Sequence, residues 1–215
     1  MRASVLKKVL IKCIKGGKPV LIKGMPGVGK TDIVKQACAE LEVDLLISHP
    51  VVDDPTDYKG LGAVVNGKAK FLPFDNLEAL IQAKKPLVFF LDDLGQAPAA
   101  VQAAAMQLIL GRRINGHAVS DFVIFIAATN RKQDRAGVQG ILEPVKSRFI
   151  TIIELTPDLN DWCAWCPLLE QCRPVFLEIP GKGHFFEEPL ARTGAKDRNM
   201  LYGEVGLEYG NEMAH

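Results

Sequence analysis

The sequence has no long apolar run and lacks the marks of an exported protein. No stretch of its 215 residues approaches the roughly 18 apolar residues of a membrane-spanning helix, so we expect no membrane span. The N-terminus has neither the apolar core nor the small-residue cleavage site of a signal peptide. The five cysteines are an odd number, which suits reduced thiols better than a disulfide framework. Together these absences predict a cytoplasmic protein.

Acidic residues are absent before Asp32, although the whole chain carries a net charge of only +1. This neutral balance gives no argument for nucleic acid or an anionic membrane as an obligate partner. The early lysines fall opposite the apolar positions of residues 4–15, and a solvated helix face explains them better than nucleic-acid contact. With 48% hydrophobic and 24% charged residues, the composition predicts a globular protein.

Apolar runs alternate with helical patterns through the first three quarters of the chain. The predicted strands are 19–22, 45–47, 86–91, 122–127 and 149–155, and the predicted helices are 4–15, 31–42, 77–83 and 97–110. Residues 50–75 are rich in Asp, Pro and Gly, and we assign them to loops with a small hairpin at Asn66-Gly67. The alternation predicts an α/β fold with a parallel sheet. The pattern weakens after residue 156, where we place a domain boundary.

A phosphate-binding loop follows the first predicted strand. The segment reads Gly24-Met25-Pro26-Gly27-Val28-Gly29-Lys30-Thr31. Glycines at this spacing let successive N–H groups point at phosphate oxygens, and the next helix aims its positive end at the same place. Lys30 is predicted to reach the β- and γ-phosphates, and the Thr31 hydroxyl to ligate Mg²⁺. Asp32 completes the predicted nucleotide-binding segment.

Polar residues stand at the ends of two later predicted strands, which are apolar and expected to be buried. Asp92 and Asp93 follow Val88–Leu91, at the strand end where ligands of open α/β sheets bind. We expect Asp92 to hold Mg²⁺ and Asp93 to polarise the attacking water as a general base. Asn130 ends the next strand and has the donor and acceptor to orient that water. With the phosphate loop, these residues predict a nucleoside triphosphate and Mg²⁺ as ligands.

The ordered motifs resemble those of an AAA+ ATPase. They are Gly24–Thr31, Phe89–Asp93, Ala127–Asn130 and Ser147-Arg148-Phe149. The motif sequences are similar to those of the MoxR and dynein/midasin-like branch, which has stand-alone bacterial and phage members. That likeness extends to the segments Tyr58–Gly62, Leu94–Gly116 and Asp134–Gly137. The resemblance covers about residues 5–156. It implies a P-loop NTPase three-layer sandwich with a five-stranded sheet of order 5-1-4-3-2.

The resemblance also implies how the protein works. Family members assemble into rings, usually hexamers, with each nucleotide between neighbours. Arg148 matches the position whose arginine reaches the neighbour's γ-phosphate, where it would stabilise transition-state charge. Its rivals are Arg112, Arg113, Arg131 and Arg135. The branch implies remodelling of a protein partner in a chaperone-like role, often a protein with a von Willebrand factor A domain.

Two departures from the family pattern stand out. Most members carry Asp-Glu where this chain has Asp92-Asp93, so the base is one methylene shorter. Residues 157–215 are expected to form a short or truncated lid, partly disordered, in which only Leu159–Leu169 resembles the family's lid. Arg192 is a weak candidate for the second sensor arginine of that lid.

Three alternatives remain open. The first is a nucleotide-gated assembly or binding module that hydrolyses ATP weakly because of Asp93. The second is a DNA-associated P-loop motor or loader, which neutral charge disfavours, and the third is a nucleotide kinase, whose arginine-rich acceptor lid we do not find. Cys163, Cys166, Cys172 and His184 have the chemistry of zinc ligands, but packing beside Trp162 and Trp165 explains the cysteine spacing better.

Overall fold

A five-stranded parallel sheet positions the predicted site in a computed structural model of the chain. The structure describes residues 1–134 and 140–165. Its strands are β1 Val20–Gly24, β2 Asp44–Ser48, β3 Leu61–Val65, β4 Lys68–Leu72, β5 Leu87–Leu91, β6 Arg113–Ile114, β7 His117–Ala118, β8 Val123–Asn130 and β9 Thr151–Leu155. The large sheet has the order β2-β5-β8-β1-β9, which confirms the predicted order.

Helices that precede residue 157 pack on both faces of this sheet. The described helices are α1 Ala3–Lys15, α2 Lys30–Leu41, α3 Pro55–Lys59, α4 Asp75–Gln82, α5 Ala99–Gly111, α6 Glu143–Lys146 and, in the second unit, α7 Leu159–Trp165. Short 3-10 helices cover Leu94–Gln96 and Lys132–Asp134. The chain divides after Thr156, and beyond that point only α7 is described. None of the helices within the described residues is long and apolar enough to cross a membrane.

Two hydrophobic cores lie on opposite sides of the sheet because successive strand residues point to opposite faces. On one side, α1 and α2 bury Leu6, Leu10 and Val34 against strand residues such as Ile22 and Phe90. On the other side, helices that include α4 and α5 pack against alternate residues of the same strands, among them Leu21, Phe89 and Phe125. The central strands are buried on both faces, which explains their continuous apolar runs.

Residues 50–75 contain more regular secondary structure than their sequence pattern predicts. The hairpin predicted at Asn66-Gly67 is present as β3 and β4. The assignment of the preceding residues to loops is wrong, because α3 lies there. A capping box begins this helix: the Asp54 side chain accepts from the backbone N–H of Thr56, and the Asp57 side chain accepts from that of Asp54. With Pro55 in the first turn, these are helix-start signals.

Candidate functional site

The carboxyl ends of three neighbouring parallel strands bring the predicted residues together. Gly24 at the end of β1 pairs in register with Asn130 at the end of β8. Leu91 at the end of β5 pairs with Ala127 of β8, so Asp92 and Asp93 leave the sheet beside the same strand. The edge where these strands end is therefore the place where the phosphate loop, the acidic pair and the asparagine meet.

Glycine geometry shapes the phosphate loop. Gly27 and Gly29 have φ values of +72° and +85°, a region that residues with a Cβ adopt at a cost. Gly29 is the N-cap of α2, which begins at Lys30, so the free N–H groups of the first helical turn face the loop. Pro26 and Gly27 are exposed. The loop can therefore receive an anion from solvent at a helix N-terminus.

Lys30 is buried at the floor of this loop, with 6% of its surface exposed. Its Nζ donates to the backbone oxygen of Met25 at 2.8 Å and to Oδ1 of Asn130 at 2.6 Å. Burial lowers the pKa of Lys30, and the charges of Asp93 and Asp92 oppose that shift. The lysine thus holds its charge through nearby oxygens, and phosphate oxygens would be stronger partners of the same kind.

Thr31 and Asp92 form the oxygen pair that the sequence predicts for a cation. The Thr31 hydroxyl donates to Oδ2 of Asp92 at 2.7 Å. Asp92 is itself buried, and its backbone N–H donates to the carbonyl of Ser48 at 2.9 Å. A hydroxyl and a carboxylate are the hard oxygen ligands that Mg²⁺ takes in nucleotide sites, so the donor set fits that ion.

Asp93 lies next to this pair in an unusual backbone conformation. Its φ of +57° falls in the left-handed region, which Asp and Asn tolerate better than longer side chains do. Burial raises the pKa of the Asp93 carboxyl, the neighbouring Asp92 charge adds to the shift, and Lys30 opposes it. Nδ2 of Asn130 donates to Oδ1 of Asp93 at 3.1 Å. Asn130 therefore joins the lysine to the acidic pair through its two side-chain atoms.

A polar cluster that no sequence motif predicts supports the acidic pair. The hydroxyl groups of Ser48 and Tyr58 donate to Oδ2 of Asp53 at 2.5 and 2.6 Å, and they lie 2.6 Å from each other. Tyr58 is 2% exposed, and burial raises the pKa of its hydroxyl. Since the backbone carbonyl of Ser48 also accepts from Asp92, the cluster ties α3 to the end of β5. The capping signal before α3 could have indicated an ordered segment here.

Arg148 lies apart from these contacts, just after α6. Its side chain is half-buried, and within the described residues its Nε atom is enclosed without a hydrogen-bond partner. No hydrogen bond or ion pair that the structure describes joins it to the phosphate loop or to the acidic residues of its own chain. Asp32 is likewise peripheral: it lies on the first turn of α2, where Lys35 Nζ is 3.8 Å from its carboxylate.

The rival arginines are differently placed. Arg131 forms an ion pair with Asp134 at 2.8 Å and lies 3.7 Å from Glu154. Arg112 donates to the backbone oxygens of Ser120 and Val123. Arg113 is exposed on β6. Arg135 and Arg192 lie outside the described residues.

The predicted zinc ligands fall beyond the part of the chain that the structure describes. This applies to the side chain of Cys163 and to all of Cys166, Cys172 and His184. Among the residues that are described, no group of three or more His, Cys, Asp or Glu side chains could hold a metal ion. The zinc hypothesis therefore stays open.

Two families match different parts of the chain. Residues 20–157 match the family described as "ATPase family associated with various cellular activities (AAA)". Residues 153–215 match the family described as SU10 major capsid protein. No curated protein matches the chain. The first match covers all the residues of the site, and the second covers the region for which the sequence predicts a lid.

Solved structures share the fold at low identity. A RuvB variant from Thermotoga maritima is 20% identical with a TM-score of 0.54, over 80% of this chain and 50% of that one. A second RuvB variant from the same organism is 21% identical with a TM-score of 0.52, over 79% and 48%. A provisionally assigned ATPase from Cytophaga hutchinsonii is 22% identical with a TM-score of 0.52, over 81% and 51%. This chain spans about half the length of the structures that it matches, and at these identities the likeness concerns the fold.

Proposed function

This chain belongs to the AAA family of ATPases, and we propose that it hydrolyses ATP with Mg²⁺ at the strand ends just described. The observation that carries the proposal is the continuous set of contacts from Thr31 to Asp92 and from Lys30 through Asn130 to Asp93. These are the side chains that phosphoryl transfer to water requires, in one place. The specific reaction and the cation are inferred from this arrangement.

The phosphate loop and Lys30 would bind the triphosphate. Lys30 would exchange its contacts with Met25 and Asn130 for phosphate oxygens, which bear the charge that an ammonium group prefers. Thr31 and Asp92 would hold Mg²⁺, which in such sites neutralises phosphate charge and orients the leaving group. The N-terminus of α2 would add its positive end to the same site.

Asp93 and Asn130 would act on the attacking water. The water oxygen bonds to the γ-phosphorus as the bond from phosphorus to the bridging oxygen breaks, which gives ADP and phosphate. Asp93 accepts the proton that the water loses, and its raised pKa suits a general base. Asn130, once released by Lys30, keeps a donor and an acceptor with which to orient the water.

We further propose that the protein acts as a ring, usually a hexamer in this family, and that Arg148 completes the neighbour's site. The enclosed Nε of Arg148 lacks a partner within the described residues, and no described contact links the side chain to the site of its own chain. An arginine that reaches a γ-phosphate from a second subunit typically raises the rate by about 10³ or more. This placement supports a role between subunits.

A chaperone-like role on a protein partner rests on the resemblance to the MoxR branch. The segment Tyr58–Gly62 carries that resemblance, and the proposed partner is a protein with a von Willebrand factor A domain. The alternative of a binding module with weak hydrolysis depends on Asp93, because its side chain is one methylene shorter than the glutamate that most family members carry there. We also propose that this ATP-driven remodelling of a protein partner takes place in the cytoplasm, as the sequence predicts.

The experiment that tests the proposed reaction measures ATP binding and phosphate release by the purified chain. We expect phosphate release that requires Mg²⁺ and stops when a chelator removes the ion. Tight ATP binding with negligible release would favour the binding module instead. Absence of ATP binding with and without Mg²⁺ would contradict the proposed site.

A second candidate role concerns residues 157–215. Residues 153–215 match the SU10 major capsid protein family, which favours a segment that resembles part of a coat subunit and joins a viral coat by co-assembly, and this proposal competes with the lid predicted for residues 157–215. Cosedimentation of the full chain with SU10 coat protein assembled in its presence is the expected result. Particles that sediment without bound ATPase would contradict the co-assembly and leave the lid as the better hypothesis.

A further inference from the structure

A buried glutamine links the helix after the acidic pair to the segment that leads to Arg148. Gln102 lies on α5 and is 1% exposed, although its side chain is polar. Its Nε2 donates to the backbone oxygens of Ala97 and Gly140 at 3.0 and 3.1 Å. Its Oε1 accepts from the N–H of Leu142 at 3.0 Å. The amide thus uses both of its donors and its acceptor, as a buried amide must to avoid a desolvation penalty.

The three backbone partners of Gln102 belong to two different parts of the site. Ala97 follows the 3-10 helix that begins just after Asp93. Gly140 and Leu142 precede α6, and the N–H of Gly140 also donates to the carbonyl of Gly95 in that 3-10 helix. A Cβ on Gly95 would lie 2.1 Å from Oγ1 of Thr129, so this turn is pressed against the end of β8. The amide of Gln102 therefore holds residues 140–142 against the turn that follows the general base.

The path from Leu142 to Arg148 is short and hydrogen-bonded throughout. Leu142 is the N-cap of α6, and its carbonyl accepts from the N–H groups of Val145 and Lys146. The N–H of Arg148 donates to the carbonyl of Val145 at 3.1 Å. Val145 is fully buried in the core that α5 shares. Because each link is fixed by the one before it, a shift of Leu142 would move the backbone of Arg148.

We propose that Gln102 is a positioning residue for Arg148, an inference that rests on the proposed role of Arg148 in the neighbouring subunit's site. Gln102 fixes Gly140 and Leu142, and through α6 it sets where Arg148 presents its guanidinium group. A displacement of about 1 Å at a catalytic group can lower the rate about 100-fold. The turn after Asp93 keeps hydrogen bonds of its own, from the N–H groups of Gln96 and Ala97 to the carbonyls of Asp93 and Leu94. Loss of Gln102 should therefore affect hydrolysis in the next subunit far more than the nucleotide site of its own subunit.

A test with mixed subunits separates these two places of action. Full-length Lys30→Ala chains lack the phosphate lysine and keep Arg148, whereas Arg148→Ala chains bind nucleotide and lack the arginine. We expect a mixture of the two to regain ATP hydrolysis that neither shows alone. Gln102→Met, which keeps the side-chain volume and removes the hydrogen bonds, is then placed in one kind of chain at a time. Gln107→Met, at an exposed position of the same helix, is the matched control.

We expect Gln102→Met to lower the regained rate of ATP hydrolysis strongly in one kind of chain and only slightly in the other. Gln102→Met in the Lys30→Ala chains should lower the regained kcat about 100-fold with the KM for ATP unchanged, and in the Arg148→Ala chains it should change kcat less than about threefold. Equal losses in both placements, or a larger loss in the Arg148→Ala chains, would overturn the inference. If the parent mixture regains no activity, the role of Arg148 between subunits fails first, and the inference falls with it.

Folding is checked separately, so that a misfolded variant cannot imitate the effect. The otherwise unaltered Gln102→Met chain should bind ATP within about twofold of the parent, because its phosphate loop is untouched. A loss of ATP binding in this variant would show a general structural role and overturn the inference. The Gln107→Met control should leave the regained rate unchanged in either placement.

Discussion

The phosphate site and the segment that carries Arg148 differ in how completely their polar groups are paired. At the phosphate site, Lys30, Thr31, Asp92 and Asn130 all find partners among one another or on the backbone. At Arg148, by contrast, the enclosed Nε atom has no hydrogen-bond partner among the described residues. Nε of Arg112 is in the same state, but the terminal nitrogens of Arg112 donate to the backbone oxygens of Val123 and Ser120. Both regions are held by buried contacts, so the difference does not come from poor order around the arginine.

This difference indicates which half of the chemistry one chain can supply. A buried polar group without a partner costs free energy, and folded proteins rarely keep one without a reason. We propose that the paired side chains bind nucleotide within a single chain, and that Arg148 acts on a group outside its own chain, as it would in a ring. Substitutions in the two regions should therefore have separable effects on binding and on hydrolysis.

The largest effect is expected for Lys30→Ala. Removal of the ammonium group leaves the phosphates without their main cationic partner, so ATP affinity should fall by at least about 100-fold. Lys35→Ala, on an exposed face of the same helix, is the matched control and should bind ATP normally. Isothermal titration with ATP and Mg²⁺ measures both. An unchanged ATP affinity in Lys30→Ala would contradict the assignment of the phosphate site.

Arg148→Ala should separate hydrolysis from binding. The rate of phosphate release should fall about 10³-fold because transition-state charge loses its stabilising arginine. ATP affinity should stay within about twofold, since no described contact joins Arg148 to the phosphate loop. Arg113→Ala, at an exposed position on β6, provides the comparison and should keep the parent rate. Full activity in Arg148→Ala would move the catalytic arginine elsewhere.

Asp93→Asn tests the general base within the paired region. Asn tolerates the left-handed backbone at this position, so the variant should fold and bind ATP like the parent. Hydrolysis should fall about 100-fold, because the amide cannot accept the proton of the water. Steady-state phosphate release gives the rate, and nucleotide titration gives the affinity. A variant that keeps more than half of the parent rate would show that another group accepts the proton.

The pH dependence of turnover gives a smaller effect with a defined sign. Burial and the Asp92 charge raise the pKa of Asp93 above its ordinary value of 3.8. A base with a raised pKa takes up its proton earlier as the pH falls, so turnover should decline at a higher pH than for a solvated aspartate. Profiles of kcat/KM for ATP, which report the groups of the free enzyme, measure this limb. An acid limb at or below 3.8 would contradict the environment described for Asp93.

The smallest effect is expected below the site, at the cluster of Ser48, Asp53 and Tyr58. Tyr58→Phe removes a hydroxyl that bonds to both partners, and it should lower the free energy of unfolding by about 1–2 kcal/mol. Val64→Ser on the exposed hairpin should change it by less than about 0.5 kcal/mol. Urea denaturation measures both variants. Equal stability of the two would show that the cluster does not support the fold.

The sheet and the residues at its strand ends could be predicted because local patterns encode them. Runs such as Val88–Leu91 are apolar throughout, and the strands of a parallel sheet bring the residues after their carboxyl ends to one edge. The order of the strands came from the resemblance to a family, since apolar periodicity alone does not fix it. Helix α3 was missed because its start signals, Asp54 and Pro55, also fit a turn.

The supporting contacts of the site could not be predicted in the same way. Gln102 reaches Gly140 and Leu142 across about 40 positions of the chain, and no spacing rule connects residues so far apart. The same holds for Ser48 and Tyr58, whose pairing depends on how α3 folds against the sheet. Side chains that perform chemistry follow short motifs, whereas those that position them depend on tertiary packing.

The central claim is that each nucleotide site is completed by a neighbouring subunit. The most direct test is ATP turnover per protomer, measured with Mg²⁺ over a wide range of protein concentration. The account predicts a rate per protomer that rises with concentration and then saturates as rings form. A measurable rate that stays flat at all concentrations would mean that one chain suffices, and it would contradict the role assigned to Arg148.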